Sequence, residues 1–219
     1  MTGQDVGVPR IWDESVASHK QRLRASIIDA TVELVRDRGR GDVAMSAVAT
    51  RAGIGRATLY NYFPDVDHIL AAYVVDEFDR FHGHLDAELA ATAGPLARLT
   101  VVVTASIDYL ASPRHQAGAS IVGLDDFSPE AQQLVDGVMA GFRERLAAVV
   151  DEAVTAGLLR EDLDPGFLAL SLHHLLAAAR AAVLAGFQDR DEATTAVLTL
   201  FLRGAASPRG RRRPIAPPA

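Results

Sequence analysis

The sequence predicts an all-α protein of about nine helices, with a three-helix N-terminal head and a larger helical body. Composition is the first reason: 49% of the 219 residues are hydrophobic, and alanine and leucine dominate over β-branched and aromatic residues. The second reason is spacing, because apolar residues recur every three or four positions in successive segments. The third is that no alternating pattern long enough for a strand occurs.

The head contains one long and two short predicted helices. The first carries an apolar stripe from Leu23 to Leu34 and ends at Gly39. A short helix follows at about Ser46–Ala52, and another lies in the segment AGIGRATLYNYF, which Pro64 closes.

The body holds the remaining predicted helices, most of which have recognisable first residues. Asp65, Ser128 and Asp164 suit N-cap positions, and the prolines that follow Ser128 and Asp164 suit the first helical turn. The predicted spans are Asp65–Ala90, Leu96–Leu110 (opened by Pro95), Gln116–Leu124, Ser128–Gly157, Asp164–Gly186 and Asp189–Leu202.

These spans divide the chain into four parts. Residues 1–15 and 205–219 are expected to be disordered, because the first segment is polar and irregular and the second is rich in proline and arginine. Residues 16–64 form the head, and residues 65–204 form the body. There is no cysteine, no apolar run of about 20 residues and no signal-peptide pattern, so a cytoplasmic protein with no membrane partner is expected.

Charge is distributed unevenly along a chain whose net charge is −6. Residues 15–64 contain eight Lys and Arg against four Asp and Glu, whereas residues 65–202 contain eight against twenty-one. A basic head on an acidic body is the layout expected of a protein that meets DNA at one end. Residues 203–219 add five arginines and no acid, and either attract phosphate unspecifically or form an idle end, which is the favoured alternative.

The two short helices have the features of a helix-turn-helix. Gly53 supplies the positive φ that ends a helix and turns the chain, and the small Ala49 lets two helices cross closely. The side chains expected to face inward are Val48, Ala49, Ala52, Ile54, Leu59 and Phe63.

The second short helix carries polar and aromatic side chains where a bundle helix would carry Lys and Glu. Arg56 lies at its N-terminus, where recognition helices touch base edges, and its guanidinium suits guanine O6 and N7. Ala57 is small enough to approach a thymine methyl, Asn61 suits a phosphate or an adenine edge, and three hydroxyls suit phosphate oxygens. The candidate DNA contacts are Ser46, Gly55, Arg56, Ala57, Thr58, Tyr60, Asn61 and Tyr62.

The stretch AVATRAGIGRATLYNYFPDVDHIL resembles the DNA-binding module of TetR/AcrR-family transcriptional regulators. The resemblance covers Leu23 to about Leu70, and beyond it only the length, the helical content and the AGLLREDLDP junction are similar. It implies an all-α homodimer whose heads bind double-stranded DNA and whose bodies bind a small-molecule effector and dimerise.

The chain departs from the family pattern at three positions. Ala44 stands where Thr or Ser usually caps the second helix, which costs about 1 kcal/mol unless a neighbour substitutes. Gly55 stands where Ser is common, and Val66 stands where a phosphate-binding Lys is typical, so one phosphate contact is lost. Basic residues of the first helix either replace that contact in part or form a solvated helix start: Lys20, Arg22 and Arg24.

The resemblance also implies that the middle helices of the body enclose an effector. An apolar or aromatic ligand would suit the available side chains, although packing in the core is the favoured alternative for each. The candidates are Tyr73, Phe78, Phe81, His82, Ile107, Tyr109, Phe127, Phe142 and His173.

A metal site, a cofactor and an enzymatic activity are not expected. No G-x-S-x-G motif, P-loop or post-strand GxGxxG occurs, and there is no cysteine. Tight ligand spacing is absent among the histidines considered for a metal site, which are His82, His84, His115, His173 and His174.

The last two helices are apolar over a wide face, which either belongs to the core or pairs with a second copy. In the family these helices form a four-helix dimer interface, and two heads would read a palindromic operator. The resulting hypothesis is a repressor that a small molecule releases from DNA. The alternative is an architectural or partner-protein-controlled DNA-binding regulator with no small-molecule ligand.

Overall fold

The computed structural model describes residues 10–112, 115 and 127–205, over which the chain forms eight α-helices and one short 3-10 helix. The predicted all-α class is confirmed. The chain divides into two compact units, a head unit and a body unit. Of the described residues, 10–73 and 127–131 belong to the head unit, and 74–112, 115 and 132–205 belong to the body unit.

The head unit begins with α1 (Arg10–Arg38), a 3-10 turn (Arg40–Asp42), α2 (Met45–Arg51) and α3 (Arg56–Tyr60). Residues 10–15, which were expected to be disordered, form the first turns of α1. Neither glycine nor proline occurs between the first and last residues of α1, so nothing stops the helix once it has formed. Residues 1–9 and 206–219 and the predicted helix Gln116–Leu124 lie outside the described residues.

The next helix, α4 (Val66–Ala91), begins in the head unit and continues in the body unit. The units divide at 73/74, inside α4, whereas the sequence prediction divides them at 64/65. The physical reason is that the first two turns of α4 still bury apolar side chains, including Ile69 and Ala72, in the head core. That core is apolar, and Ile27, Val48 and Leu59 are fully buried in it.

The body unit contains the rest of α4 together with four further helices. These are α5 (Pro95–Leu110), α6 (Pro129–Thr155, whose first residues belong to the head unit), α7 (Pro165–Leu184) and α8 (Arg190–Ala205). Helix α7 packs on α8, and α5 packs on both.

The three predicted N-caps are confirmed. Asp65 Oδ1 accepts from the His68 N–H at 2.9 Å, and Asp164 Oδ1 accepts from the Phe167 N–H at 2.8 Å. The Ser128 hydroxyl accepts from the Ala131 N–H at 3.4 Å. Each bond satisfies an N–H that the helix itself leaves without a partner.

Helix α7 is unusually apolar for its exposure. It is the one helix of the described chain that is long and apolar enough to cross a membrane by length and composition, yet only 28% of that stretch is buried. Six of its exposed residues recur at alternating intervals of three and four, which is the spacing of a helix-pairing surface. We call them the α7 seam: Phe167, Leu170, His174, Ala177, Ala181 and Leu184.

Candidate nucleic-acid interface and effector site

The turn between α2 and α3 is tight because Gly53 adopts a φ of +68°, a conformation that favours glycine. The Ile54 N–H then donates to the Ala49 carbonyl oxygen at 3.0 Å, which fixes the path of the chain into α3. Ala49 is buried, so the two helices approach closely at this point. This arrangement holds α3 in one orientation on the head.

Helix α2 is anchored to α1 by side chains and begins without a side-chain cap. The Arg51 guanidinium lies 3.1 Å from Glu33 and 3.5 Å from Asp37, which joins the end of α2 to α1. Ala44 takes the N-cap position in extended geometry and makes no side-chain hydrogen bond. The departure at this position therefore leaves α2 without the cap that a hydroxyl would supply.

Helix α3 separates a buried anchor from an exposed polar face. Leu59 is fully buried, whereas Tyr60 is 56% exposed, and Arg56 and Asn61 are exposed with it. The exposed face offers hydrogen-bond donors and an aromatic hydroxyl to the outside of the head. Of the other predicted DNA contacts, Gly55 and Ala57 are exposed, and Ser46, Thr58 and Tyr62 are partly buried.

Of the partly buried candidates, Tyr62 also has a structural role, because its ring packs against the head core. On α1, Lys20 and Arg22 are exposed, whereas the Arg24 guanidinium lies 5.9 Å from the centre of the Phe63 ring. Two of the three basic residues are thus free of such packing in the structure.

A polar junction within the head unit involves the residues just before α6. Asp67 accepts from Arg40 at 2.8 Å and from the Ser128 backbone N–H at 3.0 Å. The Arg40 guanidinium also lies 4.6 Å from the centre of the Phe127 ring, a cation–π contact. Phe127 is thus not in the body, where the sequence had placed it as an effector-lining residue.

Tyr73, another effector candidate, packs against the head core. Ile107 lies in the body and is fully buried, as a core residue would be.

The other effector candidates meet in the body unit in a continuous series of rings. Ring centres are 4.6 Å apart for His115 and Tyr109, 4.4 Å for Tyr109 and Phe81, and 5.7 Å for Phe81 and Phe142. Phe142 continues to His173 at 6.0 Å. We call these five residues the ring row.

Two further predicted residues lie beside the ring row. Phe78 is 5.6 Å from Tyr109, and His82 lies parallel to Phe142 at 6.2 Å, measured between ring centres. His82 Nε2 and His173 Nδ1 are buried and have no hydrogen-bond partner among the described residues. Both nitrogens are therefore able to form a hydrogen bond with a bound polar group.

The histidines of this region are held in the neutral form. Burial lowers the pKa of His82, His115 and His173 below the ordinary value. Positive neighbours lower the pKa further: Arg145 for His82 and Arg180 for His115. A neutral imidazole can donate one hydrogen bond and accept another, but it brings no charge to a ligand.

An open groove of about 350 Å³ runs along the outer side of Phe81 and Tyr109, between α4 and α5. Its rim is charged: Glu77, Glu88 and Asp108 line it together with Arg80, which pairs with Glu77, and His84, which lies 3.3 Å from Glu88. Within the described residues, no group of three His, Asp or Glu side chains is arranged to hold a metal ion.

Two segments of the chain match sequence models of known protein families. Residues 27–73 match the sequence model described as "Bacterial regulatory proteins, tetR family", and residues 95–200 match "Tetracyclin repressor-like, C-terminal domain". The chain belongs to the tetR family of bacterial regulatory proteins. It is a DNA-binding transcriptional regulator, and the resemblance seen in the sequence is confirmed.

Relatives of this tetR-family chain include two named regulators. It is 37% identical over 92 residues to the HTH-type transcriptional repressor KstR of Mycobacterium tuberculosis, an alignment that covers 42% of each protein. It is 25% identical over 138 residues to the fatty acid metabolism regulator protein of Bacillus subtilis, which covers 63% of this chain and 71% of that one.

A solved structure has the same fold at low identity. It is the transcriptional regulator FadR from Bacillus subtilis in complex with stearoyl-CoA, with a TM-score of 0.68 and 22% identity. The match covers 82% of this chain and 98% of the other.

Proposed function

We propose that this tetR-family regulator is a dimeric repressor that leaves a palindromic operator when a small, largely apolar effector binds the body. The carrying observation is the exposed face of α3, where Arg56, Tyr60 and Asn61 project from a helix that Leu59 fixes to the head. Such side chains can form hydrogen bonds to base edges and phosphates, whereas a helix that faces only solvent typically carries Lys and Glu. A protein that acts on DNA in a bacterium works in the cytoplasm.

Dimerisation is supported by the α7 seam. Phe167 and Leu184 are 59% and 44% exposed, and between them the seam presents small residues that allow another helix to approach closely. A second copy would bury these side chains and place two heads on one DNA. An isologous pair reads two half-sites, which is why a palindromic operator is expected.

Control by an effector is supported by the ring row and by relatives. The body buries aromatic rings beside two imidazole nitrogens that lack a partner among the described residues. A fatty acid metabolism regulator and a FadR structure that holds stearoyl-CoA are among the similar proteins. A ligand that binds better to the form unable to span the operator must weaken DNA affinity by linkage.

The test is binding to labelled DNA from upstream of the protein's own gene, followed by fluorescence anisotropy at fixed salt. Wild type should bind this DNA in preference to a scrambled duplex. Arg56→Ala should weaken binding by about 1–3 kcal/mol, because the guanidinium would lose a bidentate base contact. Arg36→Ala is the matched control, since Arg36 is an exposed arginine of the same head on α1.

The results separate the two hypotheses. Selective binding that Arg56→Ala weakens and Arg36→Ala does not would establish sequence reading by α3. Equal binding to both duplexes, unchanged by Arg56→Ala, would contradict it and favour an architectural role. Selective binding that no small molecule alters would favour control by a partner protein, the second candidate.

A further inference from the structure

Arg180 is the starting point, because this partly buried arginine of α7 has no acidic partner among the residues that the structure describes. Its Nε is buried without a hydrogen-bond partner, and it forms no ion pair within the described part of the chain. By contrast, Arg98, Arg145 and Arg190 of the same unit lie 2.9, 2.7 and 3.5 Å from carboxylate oxygens. The Arg180 Nε is withdrawn from water without a partner, and a bound anion would offset part of this desolvation cost.

The position of Arg180 relates it to the ring row. Burial is the largest cause of the lowered pKa of His115, and the positive charge of Arg180 is the second. His115 is one end of the ring row. On α7, Arg180 stands seven residues after His173, the other end, so the two share a face of the helix. A rise of about 1.5 Å per residue puts them about 10 Å apart along it.

The face between these ends is apolar. Leu176 lies between His173 and Arg180 on α7 and is 1% exposed. Phe81 and Phe142 contribute buried rings from α4 and α6. The region therefore has a cationic end, an apolar length and, at the far end, the unpartnered nitrogen of a neutral imidazole.

We propose that the effector is an amphiphilic anion whose charged head binds the Arg180 guanidinium and whose apolar part lies along the ring row. This inference rests on the proposed effector control of the body. Arg180 forms charge-assisted hydrogen bonds to a carboxylate or phosphate oxygen, for which its planar fork is suited. His173 Nδ1 and His82 Nε2 serve uncharged polar atoms of the same molecule.

The groove beside Phe81 and Tyr109 provides a useful contrast. Its lining combines the carboxylates of Glu77, Glu88 and Asp108 with basic side chains beside them, so it is not expected to select an anionic head. A ligand series that keeps one alkyl chain and varies only the head charge tests both sites at once.

The experiment measures binding to the purified full-length protein by calorimetry and by thermal shift, below micelle-forming concentrations. The probes are dodecanoate, dodecanoyl-CoA, 1-dodecanol and dodecyltrimethylammonium, with free coenzyme A as a head-only control. Dodecanoate, dodecanoyl-CoA or both should bind at least about tenfold more tightly than the alcohol, because one charge-assisted contact is worth about that much. Which of the two anions binds more tightly identifies the source, a free acid or its thioester.

Variants assign the charge to one residue. Arg180→Met should weaken binding of the anions by about tenfold to a hundredfold and leave the alcohol unchanged. Arg180→Lys should restore part of the loss, and Arg203→Met, an exposed arginine of α8, should change nothing. The ligand-free Arg180→Met protein should melt no lower than wild type, because an unmatched charge has been removed.

Each failure has a distinct meaning. Preferential binding of the alcohol or the ammonium probe, or undiminished anion binding by Arg180→Met, overturns the anion assignment while effector control stands. Tight binding of free coenzyme A overturns the role of the ring row. If none of the probes binds and none changes the affinity of the protein for its operator, the proposed effector control fails together with this inference.

Discussion

The head and the body distribute polar and apolar side chains in opposite ways. In the head, the core around Ile27, Val48 and Leu59 is apolar, and the adhesive polar groups of α3 are outside. In the body, imidazole nitrogens without partners among the described residues are inside, and large apolar side chains such as Phe187, 82% exposed, are outside. Both departures from an ordinary globular surface and core mark positions at which the isolated chain lacks a partner.

The difference teaches that the two units meet different kinds of partner. A small head can present a polar face only if a dry core holds the helix that carries it. A larger body can contain polar groups within an apolar cluster because surrounding packing offsets the cost, and a ligand can then satisfy them. Polar groups outside predict DNA, polar groups inside predict a small molecule, and apolar groups outside predict a second copy.

The largest effect is expected when the apolar core of the head is broken. Leu59→Ala should cost about 2–5 kcal/mol, because it leaves a cavity beneath α3. Leu172→Ala is the matched change in the body, where Leu172 is equally buried. Hydrogen exchange should show lost protection in α2 and α3 for the first variant and in α7 for the second. Equal loss throughout for both would show that the two units unfold as one.

The exposed apolar face of the body should be sensitive to charge. Leu170→Lys should raise the dimer dissociation constant by at least about tenfold, because each copy loses a buried leucine at the α7 seam. The seam is exposed in the single chain, so the monomer fold should be retained. Sedimentation velocity measures the change, and Gln133→Lys on the exposed side of α6 is the control. A dimer that tolerates Leu170→Lys as well as Gln133→Lys would place the interface elsewhere.

Acid should weaken the body before the head. His82, His115 and His173 have a lowered pKa in the folded body, so as pH falls below about 6.5 the unfolded chain takes up protons first and stability decreases. In the head, burial raises the pKa of Asp65, but hydrogen bonds from His68 outweigh it and the net pKa is lowered. The contribution of Asp65 therefore persists down to its usual range.

Hydrogen exchange at about pH 7.5 and 5.5, corrected for the intrinsic rate, measures this difference. Protection of α7 should fall and protection of α2 should not. His82→Gln should reduce the pH dependence of the body, because one buried titrating group is removed. Equal loss of protection in both units would contradict the assignment of acid sensitivity to these histidines.

Local signals predicted the elements well, whereas contacts between distant residues were beyond them. The starts of α4, α6 and α7 follow from caps at Asp65, Ser128 and Asp164. Each cap lies three residues before the backbone N–H that donates to it. The turn at Gly53 is equally local. Four members of the ring row were predicted only as a pool of candidates, and His115 was not among them, because nothing in spacing alone distinguishes a core ring from a ligand contact.

Phe127 and Arg40 illustrate what the sequence could not provide. Their contact joins residues far apart along the chain, and no periodic pattern connects them. Asp67 accepts hydrogen bonds from both Arg40 and the Ser128 N–H, and no local sequence pattern indicates this role. The unmatched charge of Arg180 likewise emerges only when the neighbours of every other arginine are known.

The smallest effect sharpens the account of the head. Ala44 holds the N-cap position of α2 with extended geometry but offers no side-chain acceptor. Ala44→Ser should therefore stabilise the head by about 1 kcal/mol, because the hydroxyl can accept from an N–H in the first turn. Ala44→Val is the control, because valine also suits an extended backbone but has no side-chain oxygen. It should give no such gain. The difference between the variants is measured from the hydrogen-exchange protection of α2 as the temperature is raised. A stabilisation of equal size in both variants would mean that backbone stiffness, and not the missing hydrogen bond, limits this helix.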